Sequence, residues 1–306
     1  MSKSKRMSVV LGLLLVLVTG VLIGATHAQE GDEGEPSEFH LRGTSVVRIG
    51  QYPDSFSYDG SDVEPLERPG FFELHLDATN DVGLMIGRFY VDQYQLNADT
   101  LLEDSQITVV YPLFGFNNDL EPEYWEGGIT DFIPLHGDSG NEAPVLPAVW
   151  NDVASWGPAV VFIDGEQWQG GTNMVSETNP LGALYGHMMY TNLVRDPETG
   201  FVSNSTGDAP YSPMAPSDVV PFDMDAKMLH LVVRTDERDQ NAFPPFTTFM
   251  HFNFLDVEEI EPLQDVEYLT WDEALNGLTP EDIQGLFDQW LALADEIEAT
   301  ITEADA

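Results

Sequence analysis

Four strand-length runs carry histidine: Phe71–Asp77 with His75, Leu184–Val194 with His187 and Met189, Met228–Arg234 with His230, and Phe246–Phe254 with His251. Imidazole nitrogen and thioether sulfur together suit a transition metal, copper above all. Alternation gives each run two faces. Phe72, Leu74 and Leu76 form one apolar face, Leu229, Leu231 and Val233 another, and Met250, Phe252 and Phe254 a third. His75, His230 and His251 therefore fall on the opposite, more polar faces. Directly opposed residues on adjacent antiparallel strands have β-carbons about 4.5–5.5 Å apart, so these three histidines can share one ion if their strands are neighbours. His187 and Met189 are candidates to join them. No two histidines stand two or four positions apart, so the sequence holds no local ligand pair, and a hydrogen-bonded or solvated strand histidine is the competing reading.

Oxygen ligands offer a second metal chemistry. Asp59, Asp62 and Glu64 are spaced through an Asp-Gly-Ser-Asp-Val-Glu turn as a calcium loop would space them, although the twelve-residue loop pattern is incomplete. Asn117, Asp119, Glu121 and Glu123, or Asp236, Glu237 and Asp239, would serve as well. Catalytic signatures are scarce. Gly137-Asp138-Ser139-Gly140 resembles the tetrapeptide around the nucleophile of trypsin-like serine proteases, but Asn141-Glu142-Ala143 follows it and no Ala-Ala-His segment precedes it. Gly-x-Ser-x-Gly, His-Glu-x-x-His, phosphate-loop and dinucleotide patterns are missing from the sequence. Sugar hydrolysis needs a carboxylate pair at a set separation, which 53 acidic residues do not declare. Trp125, Trp150, Trp156 and Trp168 offer stacking surfaces for carbohydrate, or anchors for a core without disulfides.

The elements that must position these residues are short apolar runs cut by Gly, Pro, Asn and Asp. Strands are predicted near 43–49, 71–77, 84–91, 106–111, 129–135, 158–163, 184–194, 228–234 and 246–257, with Asp164-Gly165 as a two-residue hairpin. Helical periodicity is rare within this series, so the expectation is an all-β fold. An antiparallel β-sandwich, jelly-roll or Ig-like, with long loops over residues 39–262 fits that pattern. Residues 263–306 form a short helical tail. Thr270-Trp271-Asp272-Glu273 is a capping box for a first helix ending at Gly277. Thr279 and Pro280 open a second, whose apolar stripe runs through Ile283, Leu286, Phe287, Trp290, Ala294, Ile297 and Ile301. That stripe either docks on the β domain or pairs with a protein partner or a second copy.

The N-terminus sets the compartment. Lys3, Lys5 and Arg6 precede an apolar run from Val9 to Ile23, and small residues follow up to Ala28, the pattern of a cleaved secretory signal peptide over residues 1–28. An uncleaved anchor is the competing reading, against which the run falls short of the roughly 20 residues needed to span a bilayer. Residues 29–38 are an acidic linker. Cleavage removes three basic residues and no acid, leaving 8 Lys+Arg against 53 Asp+Glu, a charge of −45. Such a charge excludes non-specific binding to nucleic acid or to an anionic membrane. Lys227 is then the sole lysine, as expected of a protein adapted to saline medium, and cysteine is absent. The sequon Asn204-Ser205-Thr206 marks an exposed loop.

Together these features predict a secreted, periplasmic or cell-surface β protein that acts by binding or as surface structure rather than by catalysis. An exported metal-binding protein using His and Met on strands is the first alternative, and a secreted carbohydrate-active hydrolase the second. Ca²⁺ is the ion the acidic turns suggest, and copper or another transition metal the one the histidine strands suggest.

Overall fold

The computed structural model describes residues 38–55, 62–114, 128–136, 148–170, 179–191, 194–195, 202–203, 227–263, 266 and 268–304. The signal peptide, the acidic linker up to residue 37, Asp59, the 137–140 tetrapeptide, Trp125 and the sequon lie outside these residues. In chain order the strands are β1 (Glu38–Ile49), β2 (Val63–Pro65), β3 (Phe71–Asp77), β4 (Val82–Gln95), β5 (Leu101–Tyr111), β6 (Ile129–His136), β7 (Ala148–Ile163), β8 (Glu166–Gln167), β9 (Leu184–Thr191), β10 (Val194–Arg195), β11 (Val202–Ser203), β12 (Met228–Arg234) and β13 (Phe249–Glu259). Two helices follow, α1 (Trp271–Asn276) and α2 (Pro280–Ala304).

Strands β1, β3, β4, β5, β7, β9, β12 and β13 pair antiparallel in that order, and β13 pairs back onto β1. The result is a closed, eight-stranded up-and-down barrel rather than the expected open sandwich. The register that closes it runs from Leu41 opposite Glu259 to Arg48 opposite Phe252. Alternation in a sequence tells which side chains share a face, and both architectures bury one face of every strand; it does not tell which strand meets which. The long β1 makes closure feasible. Its register shifts around Thr44, beside Ser45 at φ 50°, and Ser45 Oγ bonds Asp256 on β13. Such a bulge bends a strand around a corner of the wall. β2 and β6 lie outside the ring, β8 forms a hairpin on β7 through the Asp164-Gly165 turn, and among the described residues β10 pairs with β11.

The apolar faces predicted for β3, β12 and β13 all point into the lumen. Phe72, Leu74, Phe89, Tyr94, Tyr111, Leu229, Leu231, Val233, Phe252 and Phe254 are buried there together. Rings touch across the axis, Phe89 to Phe252 at 4.1 Å and Phe72 to Phe254 at 5.2 Å between centroids. Eight strands leave an interior just wide enough for side chains or one small ligand, and here the aromatics fill it. Tyr111 reaches over β9, and its hydroxyl donates to the Val232 carbonyl of β12 at 2.6 Å. Gly186 permits this, because a β-carbon there would lie 2.2 Å from the ring.

The helices cover the outside of the wall. Thr270 and Glu273 form the predicted capping box of α1, and Thr279 with Asp282 repeats it ahead of α2. Phe287, Trp290, Ala294 and Ile297 pack over Phe71, Leu84, Ile86, Val110 and Phe162, which face outward from β3, β4, β5 and β7. Buried Arg88 holds the helix by charge, donating to Asp295 at 2.5 Å and to Glu298 at 3.0 Å, and Tyr90 donates to Glu298 at 2.6 Å. The apolar stripe of α2 thus docks on its own barrel.

Candidate functional site

Six of the chain's seven histidines lie in the described strands or beside them, and five of those form two clusters on the outer wall. The first spans β9, β12 and β13. His187 opposes Val232, which opposes His251; Met189 opposes His230, which opposes Asn253. His187, Met189, His230 and His251 therefore share one outward face of three neighbouring strands, as the sequence allows. The His230 and His251 rings meet edge to face at 4.6 Å, and His187 lies 5.8 Å from His230. His230 Nδ1 sits 3.1 Å from Asn253 Oδ1 and 3.3 Å from His251 Nε2. With the Asn253 oxygen as acceptor, one Nδ1–H of His230 serves both neighbours. His230, His251, Asn253 and Met189 are all buried. His187 stacks on Trp156 at 4.7 Å and places Nδ1 3.0 Å from the Ser155 carbonyl. Burial lowers its pKa to about 4, only partly offset by that hydrogen bond, so it is neutral near pH 7.

The second cluster lies on β1 and β3. His40 directly opposes His75, and Arg42 opposes Glu73. Glu73 is buried, accepts from Arg42 Nε at 2.6 Å, and places its other oxygen 3.1 Å from His75 Nε2. A carboxylate bonded to a guanidinium can only accept, so His75 Nε2 carries the hydrogen and its Nδ1 presents a lone pair. His40 Nδ1 lies 3.3 Å from that lone pair, and His40 Nε2 faces Glu38 at 3.7 Å. A cleft of about 360 Å³ opens beside the Arg42–Glu73 pair, lined also by Glu261, Glu296 and Thr300.

His75 does not join His230 and His251. Strand β1 and part of β13 intervene, and His40, the register partner of His75, stands seven residues from Val47, the partner of Asn253. At about 3.3 Å per residue the two clusters are roughly 20 Å apart along the strand. Among the described residues, no group of three or more His, Cys, Asp and Glu side chains is spaced to hold a metal ion as it stands. Of the calcium turn, Asp62 and Glu64 both bind the buried Arg48 guanidinium, each at 2.8 Å, while Asp59 lies outside the described residues. Asp239 accepts from Tyr52 and from Asn241, which keep its pKa below the usual carboxylate range. Among the tryptophans, Trp156 is committed to His187, and Trp168 packs against the lumen cluster.

His40, Arg42 and Glu73 are the residues that sequence reasoning missed as site members. The signal was present: Glu38, His40 and Arg42 alternate with Phe39 and Leu41. Starting the first strand at residue 43 left them outside it. Comparison with known proteins returns no matching family model, no matching characterised protein and no matching solved structure.

Proposed function

We propose that the chain is an exported, acidic, non-catalytic binding protein of a saline medium, and that it recognises its ligand on the outer wall of the barrel. The observation that carries this is the division of the molecule into a lumen filled by touching aromatic rings and an outer wall on which the histidines gather. A ligand in the lumen would have to displace Phe72, Phe89, Phe252 and Phe254, each costing several kcal/mol, about 3–5 on removal. The charge supports the medium. Cations are few, and among the described residues five are paired with carboxylates: Arg42 on Glu73, Arg48 on Asp62 and Glu64, Arg68 on Asp92 and Asp104, Arg88 on α2, Lys227 on Asp152. The remaining carboxylates repel one another, and that repulsion is screened within about 3 Å at 1 M salt against about 10 Å at 0.1 M.

Expression of the full chain in a secreting host tests export. Mass spectrometry of the exported protein is expected to give a mature chain beginning at Gln29, and retention in the cytosol with Met1 intact contradicts it. Thermal unfolding of the same material is expected to shift upward as NaCl is raised from 0.1 to 3 M; a midpoint indifferent to salt contradicts adaptation to a saline medium.

A further inference from the structure

We propose that the His40–His75 pair on β1 and β3 is a binding site for a divalent transition metal of the zinc type, with Glu73 and Glu38 orienting the two imidazoles from behind. This deepens the binding reading by naming a ligand class, yet stands apart from export and salt adaptation, which the experiments above address separately.

The pair is unbalanced without a cation. His75 spends its one hydrogen on Glu73, so Nδ1 is bare, and His40 must turn its own hydrogen toward that lone pair. His40 Nε2 is then bare as well. It is buried without a hydrogen-bond donor, and the Glu38 carboxylate, 3.7 Å away, repels a lone pair. A metal ion in place of the shared hydrogen reverses this. Both Nδ1 atoms coordinate, both Nε2 atoms carry hydrogen, and each hydrogen points at a carboxylate, Glu73 for His75 and Glu38 for His40. Metal-bound histidines characteristically donate the other ring nitrogen to such an acceptor.

The distances agree. Two nitrogens bound at about 2.0–2.1 Å to one tetrahedral ion lie about 3.3–3.4 Å apart. The two Nδ1 atoms are separated by 3.3 Å. Directly opposed strand positions fix both rings, and Arg42 fixes Glu73 in turn. Among the described residues no third His, Cys, Asp or Glu completes the sphere, so its remaining positions fall to water or a ligand.

Isothermal titration of the metal-stripped full chain with Zn²⁺ at pH 7.5, in high NaCl and excess Mg²⁺ to occupy scattered carboxylates, tests the site. The expected result is one Zn²⁺ per chain, lost at least tenfold in affinity in His40→Gln, weakened several-fold in Glu38→Gln, and unchanged in His230→Ala. His40 is partly exposed, so His40→Gln is expected to fold, which circular dichroism checks; Glu38, more exposed still, provides a second variant that does not disturb the core. Absence of a stoichiometric Zn²⁺ event in folded wild-type protein overturns the proposal. So does binding that survives His40→Gln, or that is lost in His230→Ala instead.

Discussion

Two histidine clusters on one barrel wall use the same residue type in opposite ways. On β9, β12 and β13 the described partners are neutral: an asparagine oxygen, a backbone carbonyl and an indole face. Burial lowers the pKa of His187 there. On β1 and β3 the partners are charged, with a carboxylate behind each imidazole and a guanidinium beside one of them. There the neutral pair leaves a buried nitrogen unmatched. A histidine cluster therefore signals a cation site less by how many rings converge than by whether the surrounding acceptors require extra hydrogens.

The contrast breaks most readily at Glu73. Glu73→Ala strands Arg42 against the wall and removes the acceptor of His75, so a loss of about 3 kcal/mol or more is expected in chemical denaturation. Asn253→Ala in the neutral cluster removes one acceptor from a buried imidazole and is expected to cost less, about 1–3 kcal/mol. Equal losses would show that charge does not distinguish the two.

Acid sharpens the comparison. His187 has a folded pKa of about 4 against an ordinary 6.5, so protons favour the unfolded chain between these values. Its contribution is complete above pH 6.5, erodes as pH falls through that window, and amounts to at most about 3 kcal/mol. His187→Gln is expected to flatten the stability–pH slope between pH 6.5 and 4, measured by urea unfolding at fixed salt. An unchanged slope would place the acid sensitivity elsewhere.

The smallest expected effect is at Trp156. Replacing it by Leu removes the ring stacked on His187 and lets water approach, so the His187 pKa is expected to rise toward the ordinary value, followed by its imidazole NMR signals. No movement would show that the stack does not control the burial of that ring.

Much of this was legible in the residues and some was not. Leu229, Leu231 and Val233, and Met250, Phe252 and Phe254, announced their lumen faces by alternation, and β3 and β12 have the predicted bounds. Thr270, Thr279 and Pro280 announced both helix starts, because capping is chemistry between residues a few positions apart. Closure was not legible. It depends on β1 meeting β13 across more than 200 residues, a pairing that no local pattern encodes. The same long-range pairing decided the sites. His187, His230 and His251 converge because β9, β12 and β13 are neighbours, whereas His75 turned instead to His40. Strand order alone separated the three histidines that sequence placed together.

The most direct test of the central claim is the metal content of the protein isolated at high salt without chelator, compared among wild type, His40→Gln and His230→Ala. A transition metal near one per chain in wild type and His230→Ala, and missing from His40→Gln, is the predicted result. Metal-free wild type, or metal that persists in His40→Gln, would contradict the assignment and leave both clusters as hydrogen-bonded parts of the barrel wall.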